Sequence, residues 1–214
     1  MKLSSVVSIA IVTLVLTSAS KANETLTHTV SFSIPKLNTK GNLSSVMLDG
    51  LPLSTVPKEA MLPFKPIRLL VPFGQRVVSV NVSTGRKVFD IKDVVLAKAP
   101  AIGPISLQVK RHRKFLGLYP TARSKDNVGT QPKNIFSSRG TQKWHGYRFV
   151  DLNLNPVRYS RENRQLWSYG ELTVHIELAA DETSDLCSPK AHHRKLVESI
   201  VENPEVFQTY DGHM

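Results

Sequence analysis

Apolar and polar residues alternate with a period of two along several stretches of this chain. Residues 27–34, 76–82 and 166–178 show it most clearly. In the last of these, Leu172, Val174 and Ile176 share one face, while Thr173 and His175 lie on the other. Strict alternation is typical of a strand with one buried side. The pattern therefore predicts three strands, the longest of which runs unbroken from residue 166 to residue 178.

Shorter strands are predicted at residues 67–71, 87–91, 105–109, 147–154 and 157–159. Ser83-Thr84-Gly85 is predicted to close a hairpin between residues 78–82 and 87–91, because glycine adopts the positive φ that tight turns need. Residues 160–163 are predicted to form the turn before the longest strand. Many of the 13 prolines lie at segment edges, where they bound strands. The pattern favours a mainly β fold, an antiparallel sandwich or jelly-roll-like domain.

Two regions lack this alternation. Residues 119–140 are polar, basic and aperiodic, which predicts a long loop inside the domain, a feature that is unusual unless the loop is functional or disordered. After Ser188-Pro189, apolar residues follow at helical spacing until Asn203-Pro204. Serine followed by proline is a helix start signal. A short C-terminal helix is therefore expected.

The first 22 residues have the pattern of a secretory signal peptide. Lys2 precedes an apolar run that is too short to span a bilayer, and Ala22 ends a small-residue cleavage motif before Asn23. We expect three parts: the signal peptide at 1–22, a β-domain at 23–186 and a helical tail at 187–214. The mature chain is expected to be secreted, periplasmic or on the cell surface, with no membrane span.

The chain is strongly basic, with a formal net charge of +11 that falls to +9 without Lys2 and Lys21. Such a charge favours anionic partners. The densest basic run, at 110–114, is not interleaved with stacking aromatics and belongs to no recognisable nucleic-acid module. We interpret it as a solvated loop or strand edge and expect no nucleic-acid partner.

Candidate chemistry is sparse. Cys187 is the only cysteine, and His192 and His193 are close to it in sequence. Nothing nearby is placed to activate a thiolate, and no fourth metal ligand is evident. A phosphate loop, a nucleophile elbow and a paired-carboxylate site are also missing from the sequence. We expect no active site, no metal and no cofactor.

Two blocks of the chain resemble the propeptides of gingipain-type cysteine peptidases. The first spans residues 47–53 and 61–74, with a glycine, a leucine-proline pair and an apolar strand, and is followed by a similar stretch ending at Pro100. The second is sharper: Gly146-Tyr147-Arg148, then residues 155–159 reading N-P-V-R-Y, a polar turn, and residues 169–174 ending in E-L-T-V. Together the blocks cover about residues 45–178.

The resemblance implies a module that assists folding of the peptidase and keeps it latent by covering its active-site cleft. In the family, a basic loop residue occupies the specificity pocket; the matching candidates are Arg123, Lys125 and Lys133. The implied partner is the catalytic domain of a cysteine peptidase, in cis or in trans. Because the catalytic domain's motifs are missing, we expect a fragment of a longer peptidase or a free-standing module, and no enzyme by itself.

A second hypothesis is a secreted basic β-sandwich that binds anionic polysaccharide or a cell surface. It depends on the net charge and on Trp167 and Tyr169, which the alternation places on the polar face of the longest strand.

Overall fold

The computed structural model describes residues 24–56, 58–99, 129–181, 189 and 191–213. These residues form twelve strands, one α-helix and two 3₁₀ segments, and every strand pair is antiparallel. The strands are β1 (Glu24–Ser31), β2 (Lys36–Lys40), β3 (Leu43–Met47), β4 (Lys65–Leu70), β5 (Gln75–Thr84), β6 (Lys87–Ile91), β7 (Thr130–Gln131), β8 (Phe136–Trp144), β9 (Tyr147–Leu154), β10 (Val157–Ser160), β11 (Gln165–Tyr169) and β12 (Glu171–Ala180). The predicted antiparallel β fold with a short C-terminal helix is confirmed.

Two three-stranded sheets pack face to face as a sandwich. Their strand orders are β1-β12-β5 and β4-β9-β8. The alternating apolar residues of both sheets meet in one core, since strand side chains alternate between the two faces. Buried members of this core are Val30, Ile67, Leu69, Val71, Val82, Val150, Leu152, Leu154, Leu172, Val174, Ile176 and Leu178. The alternation predicted for residues 172–178 is therefore confirmed as a buried face.

A four-stranded sheet of order β6-β11-β10-β7 extends the sandwich at one end, and β2 and β3 form a separate hairpin. A second apolar cluster lies beneath them and includes Val46, Leu62, Leu96, Val157 and Leu166. This cluster fixes the segments around residues 60 and 96 against the four-stranded sheet, since each contributes buried side chains to it.

The predicted unbroken strand 166–178 is wrong, because the chain changes sheets at Gly170. β11 pairs with β6, whereas β12 pairs with β5. The chain also changes sheets at Gly85, between β5 and β6. Gly85 N–H donates to Glu171 O at 2.9 Å, and Gly170 N–H donates to Arg86 O at 3.1 Å. We call these residues the Gly85–Gly170 corner. The predicted hairpin at residues 83–85 is also wrong, since β5 and β6 each pair with a different strand.

A β-bulge interrupts the alternation that was predicted for residues 76–82. Glu177 pairs with Ser79, but Leu178 pairs with Val77, so Val78 is an extra residue that has no partner in β12. Val78 is consequently 47% exposed, while Val77 packs against the core. Ile34, predicted to share the buried face of the first strand, lies beyond the end of β1 and is 62% exposed.

Part of the predicted loop 119–140 is strand. Residues 130–131 form β7, and β8 begins at Phe136. β8 lies at the edge of its sheet and is exposed along nearly its whole length, so it lacks the apolar alternation by which strands are recognised. Residues 119–128 of that loop, the predicted strand 105–109 and residues 1–22 fall outside the described residues.

The C-terminal segment, residues 191–213, covers the outer face of the β4-β9-β8 sheet. It contains a 3₁₀ turn (Ala191–His193), the helix α1 (Arg194–Glu198) and a second 3₁₀ segment (Pro204–Tyr210) that the sequence did not predict. Val197, Val206, Phe207 and Tyr210 pack against Leu70, Tyr147 and Phe149 in a third apolar cluster. The division of the chain at residue 186 stays a prediction, because residues 182–188 are not described.

No helix in the described part of the chain is long and apolar enough to cross a membrane.

Candidate functional site

On both sides of residues 100–128, which we call the segment, the chain is bonded at one place in the described fold. On the leaving side, Ala99 N–H donates to Glu59 O at 2.8 Å. On the returning side, the Gln131 side-chain Oε1 accepts from the buried Ala60 N–H at 2.9 Å. Two neighbouring residues, Glu59 and Ala60, therefore hold both ends of the segment. We call this arrangement the segment anchor.

The anchor is built into the sheet framework on both sides. Ala60 forms an antiparallel bridge with Lys98. Gln131 pairs with Tyr159, and Tyr159 OH donates to Val94 O at 3.0 Å. Because these bonds join the anchor to β10 and to the second apolar cluster, the ends of the segment are fixed by packing as well as by hydrogen bonds.

A cavity of about 470 Å³ lies beside the anchor. Its wall combines apolar side chains with amides, an arrangement that suits polypeptide better than a small ion. The lining includes Leu53, Val56, Leu62, Phe64, Pro132, Phe136, Gln131, Asn134, Asn153 and Asn155. The Asn155 side chain donates to Asn134 O at 3.0 Å, which orients the amide rim.

Among the predicted inhibitory residues, Lys133 is the one that the structure describes. It is exposed, it lines the cavity beside the anchor, and its backbone carbonyl accepts from Arg158 Nη2 at 3.4 Å. Arg123 and Lys125 fall outside the described residues, as do the predicted cleavage residues Ala22 and Asn23. The three basic candidates therefore stay a prediction.

The histidines near Cys187 take part in ring packing. His193 stacks on His145 with ring centroids 3.5 Å apart and planes 5° apart, and His192 lies 3.9 Å from His193. Cys187 itself is outside the described residues. Within the described ranges, no group of three or more His, Cys, Asp or Glu side chains is placed to hold a metal ion.

Trp167 and Tyr169 are both half-buried, not exposed as the hypothesis of a polysaccharide-binding face requires. Trp167 Nε1 donates to Tyr169 OH at 3.3 Å, and Lys87 Nζ lies 5.2 Å from the centroid of the Trp167 ring. Tyr169 also packs against the sandwich core. The aromatic support for that hypothesis is therefore lost.

The resolved pKa shifts fall on residues that hold the fold together, away from the cavity. Burial raises the pKa of Tyr210 to about 12. A side-chain hydrogen bond to Asp151 raises the pKa of Arg68, with Arg68 Nε 2.6 Å from Asp151 Oδ1. Arg148 and Asp181 form a buried ion pair that joins β9 to the end of β12. These groups stabilise the framework that presents the anchor.

The described fold is thus an antiparallel β-module in which the chain is bonded to Glu59 and Ala60 on both sides of residues 100–128. No protein-family model and no curated protein matches the chain.

Solved structures do match its fold. One is a chain of the "Complex of Porphyromonas gingivalis RgpB pro- and mature domains", with a TM-score of 0.60 and 13% sequence identity, covering 85% of this chain and 92% of that chain. Another concerns "zymogenic latency of gingipain K from Porphyromonas gingivalis", with a TM-score of 0.49 and 17% identity, covering 73% of this chain and 88% of that chain. The first of these matches confirms the resemblance to gingipain propeptides at the level of the fold.

The segment anchor was missed by sequence reasoning. Gln131 lies in an aperiodic stretch, and Glu59 and Ala60 lie between predicted strands. A single buried bond from a glutamine side chain to a backbone N–H across 71 residues leaves no periodic signal in the sequence.

Proposed function

We propose that this chain is a propeptide-like module of a gingipain-type cysteine peptidase, which covers the active-site cleft of the catalytic domain and assists its folding. The catalytic domain is bound in cis or in trans, outside the cytoplasm. The shared fold with a chain of the RgpB pro- and mature-domain complex supports the proposal. Because a shared fold does not by itself imply a shared function, the argument also needs a site.

The segment anchor is the observation that carries the proposal. An inhibitory loop must keep its position while a peptidase binds it, and the cost of ordering such a loop is lower when its ends are already fixed. Here Ala99 and Gln131, on either side of residues 100–128, are held at Glu59 and Ala60 by bonds of 2.8 and 2.9 Å. These bonds would give a rigid base to a loop that carries Arg123 and Lys125.

A basic residue from this region would enter the specificity pocket of the peptidase. Arg123 and Lys125 belong to the segment itself, whereas Lys133 lies after its returning end, exposed at the rim of the 470 Å³ cavity. The cavity would then receive part of the peptidase surface next to the occupied pocket, since its apolar wall and amide rim suit a polypeptide.

The experiment is an inhibition assay with the purified chain. Mature RgpB, gingipain K and a gingipain-type peptidase from the organism that encodes the chain are assayed with fluorogenic Arg and Lys substrates. We expect saturable inhibition of at least one peptidase. The triple variant R123A/K125A/K133A should weaken inhibition about 100-fold, because a residue that fills a specificity pocket is a binding hot spot. The three single variants then identify the residue.

A charge-matched control separates pocket occupancy from simple electrostatics. The variant R86A/K143A/K195A also removes one arginine and two lysines, all exposed and none lining the cavity. It should leave the inhibition constant within about twofold, as exposed charges remote from an interface contribute little. Unchanged inhibition by the first triple variant would contradict the loop mechanism. An absence of inhibition of every peptidase in the panel would contradict the proposed function.

A further inference from the structure

A basic cleft lies on the other side of the segment anchor, and neither the resemblance nor the proposed function uses it. The cleft has a volume of about 490 Å³ and shares Ala60 and Gln131 with the first cavity. Four of its lining residues are cations, and none of the described residues that line it is acidic: Leu43, Lys58, Ala60, Val95, Leu96, Lys98, Gln131, Tyr159, Arg161 and Arg164.

Lys98 lies within residues 94–99, and bonds to this stretch hold two of the other cations, which come from separate parts of the chain. Lys58 N–H donates to Ala99 O at 3.3 Å, and Lys98 is bridged to Ala60. Arg164 O accepts from Val94 N–H at 2.9 Å. Because these bonds fix the backbones of all three residues, the convergence of positive charge is a property of the fold.

The backbone conformation at two of these positions is unusual for the residues that occupy them. Lys58 has a φ of 67° and Arg164 a φ of 49°, in the left-handed region. Turns that need this conformation normally use Gly or Asn. Here long cationic side chains stand there instead, in a cleft that two further cationic residues also line. Unfavourable local choices of this kind are typical of ligand sites.

We propose that this cleft binds a phosphate monoester. A monoester carries a charge of about −1.5 to −2 at neutral pH and offers three strong acceptor oxygens, so it balances several cations better than a single carboxylate does. The planar fork of Arg164 matches two phosphate oxygens, and the ammonium groups of Lys58 and Lys98 act as point charges. Leu43 and Val95 supply an apolar wall for the group that carries the phosphate.

The test is calorimetric titration of the purified chain at pH 7.5 with glucose 6-phosphate, inorganic phosphate, glucose and acetate. We expect saturable binding of both phosphates at a ratio of one per chain, and no binding of glucose or acetate. Tighter binding of glucose 6-phosphate would identify an ester as the ligand, while equal affinities would identify the phosphate group as the sole determinant. Acetate that binds as well as phosphate would overturn the proposal.

The variant K58A/K98A/R164A should weaken phosphate binding at least tenfold, since each charge-assisted hydrogen bond contributes substantially. R86A/K143A/K195A again removes one arginine and two lysines and should leave the affinity within about twofold. Equal losses in the two triple variants would overturn the proposal, because binding would then follow net charge. Should the first triple variant unfold, the single exposed substitution K98Q must still weaken binding.

The outcome is independent of peptidase inhibition. If the chain binds phosphate and inhibits no peptidase, the phosphate site is supported and the proposed function is contradicted. If it inhibits a peptidase and does not bind phosphate, the proposed function is supported and the phosphate site is contradicted.

Discussion

The side chain of Asn203 pairs with both backbone groups of Leu70. Asn203 Oδ1 accepts from Leu70 N–H at 2.7 Å, and Asn203 Nδ2 donates to Leu70 O at 2.9 Å. Leu70 belongs to β4, and among the residues that the structure describes no strand pairs with its outer side. One amide thus takes the place of a strand residue, and it ties the C-terminal segment to the sandwich.

Replacing Asn203 by alanine should lower the free energy of unfolding by about 2–4 kcal/mol, because two buried backbone groups lose their partners. Asn203 is 1% exposed and Leu70 is fully buried, so water does not replace the lost bonds. Urea denaturation followed by tryptophan fluorescence measures the change. The exposed neighbour Gln208 is the control, and Q208A should change stability by less than about 0.5 kcal/mol. Equal effects of N203A and Q208A would contradict this account.

The second prediction concerns the close packing of Gly170 at the Gly85–Gly170 corner. A Cβ at Gly170 would lie 2.6 Å from Val88 Cγ1. Val88 is the extra residue of a bulge in β6, so its side chain stands over Gly170. Substitution of Gly170 by alanine should destabilise the fold by about 1–3 kcal/mol, the usual cost of overpacking.

A double-mutant cycle tests that explanation. V88A removes both Cγ atoms, so G170A should cost much less in the V88A background than in the wild-type chain. Gly129 provides the matched control, since nothing lies within 4 Å of a Cβ built there and G129A should be nearly neutral. Purely additive effects of G170A and V88A would show that the contact with Val88 is not the cause.

Ionisation of Tyr210 should lower the free energy of unfolding at alkaline pH. Its hydroxyl donates to Val71 O at 2.6 Å, and burial raises its pKa to about 12, above the value of about 10 for an unfolded chain. The folded state therefore favours the neutral phenol. The resulting stabilisation is complete below pH 10 and is lost as the pH rises from 10 through 12.

Between pH 9 and pH 11 the wild-type chain should lose about 1 kcal/mol more stability than Y210F, in which this group does not ionise. Urea denaturation at intervals of half a pH unit measures both curves, and the comparison removes the contribution of the lysines. Parallel curves for the two proteins would contradict the raised pKa of Tyr210.

Periodicity predicted the strands that supply buried residues to the sandwich core and missed β2, β3, β7 and β8. β6 and β9 were predicted at their observed bounds, because the apolar residues of β9 repeat along the strand and turn residues flank β6. The first part of β8, residues 136–140, lies in the predicted loop because, at the sheet edge, the strand is exposed along nearly its whole length and needs no apolar residues. Buried and more exposed residues do alternate on both sides of Gly170, but the alternation does not indicate which sheet each half of residues 166–178 joins.

The candidate site was predicted in outline only. The aperiodic stretch 119–140 includes Gln131 of the anchor, and the resemblance supplied Arg123, Lys125 and Lys133, which stay predictions. The anchor depends on one amide of Gln131 and on the backbone of Ala60, which meet only when β7 pairs with β10. The basic cleft depends in the same way on three positions that are far apart in sequence. Neither the anchor nor the cleft therefore forms a sequence motif.

The C-terminal segment also has a consequence for solubility. Where it covers β4, Glu202 N–H donates to Arg68 O and Asn203 pairs with Leu70, so backbone groups of an edge strand are occupied. Open strand edges beside apolar surface are the usual starting points of aggregation. Any event that lifts residues 191–213 from the sheet would uncover both at once, and we expect the remaining β-module to self-associate through β4.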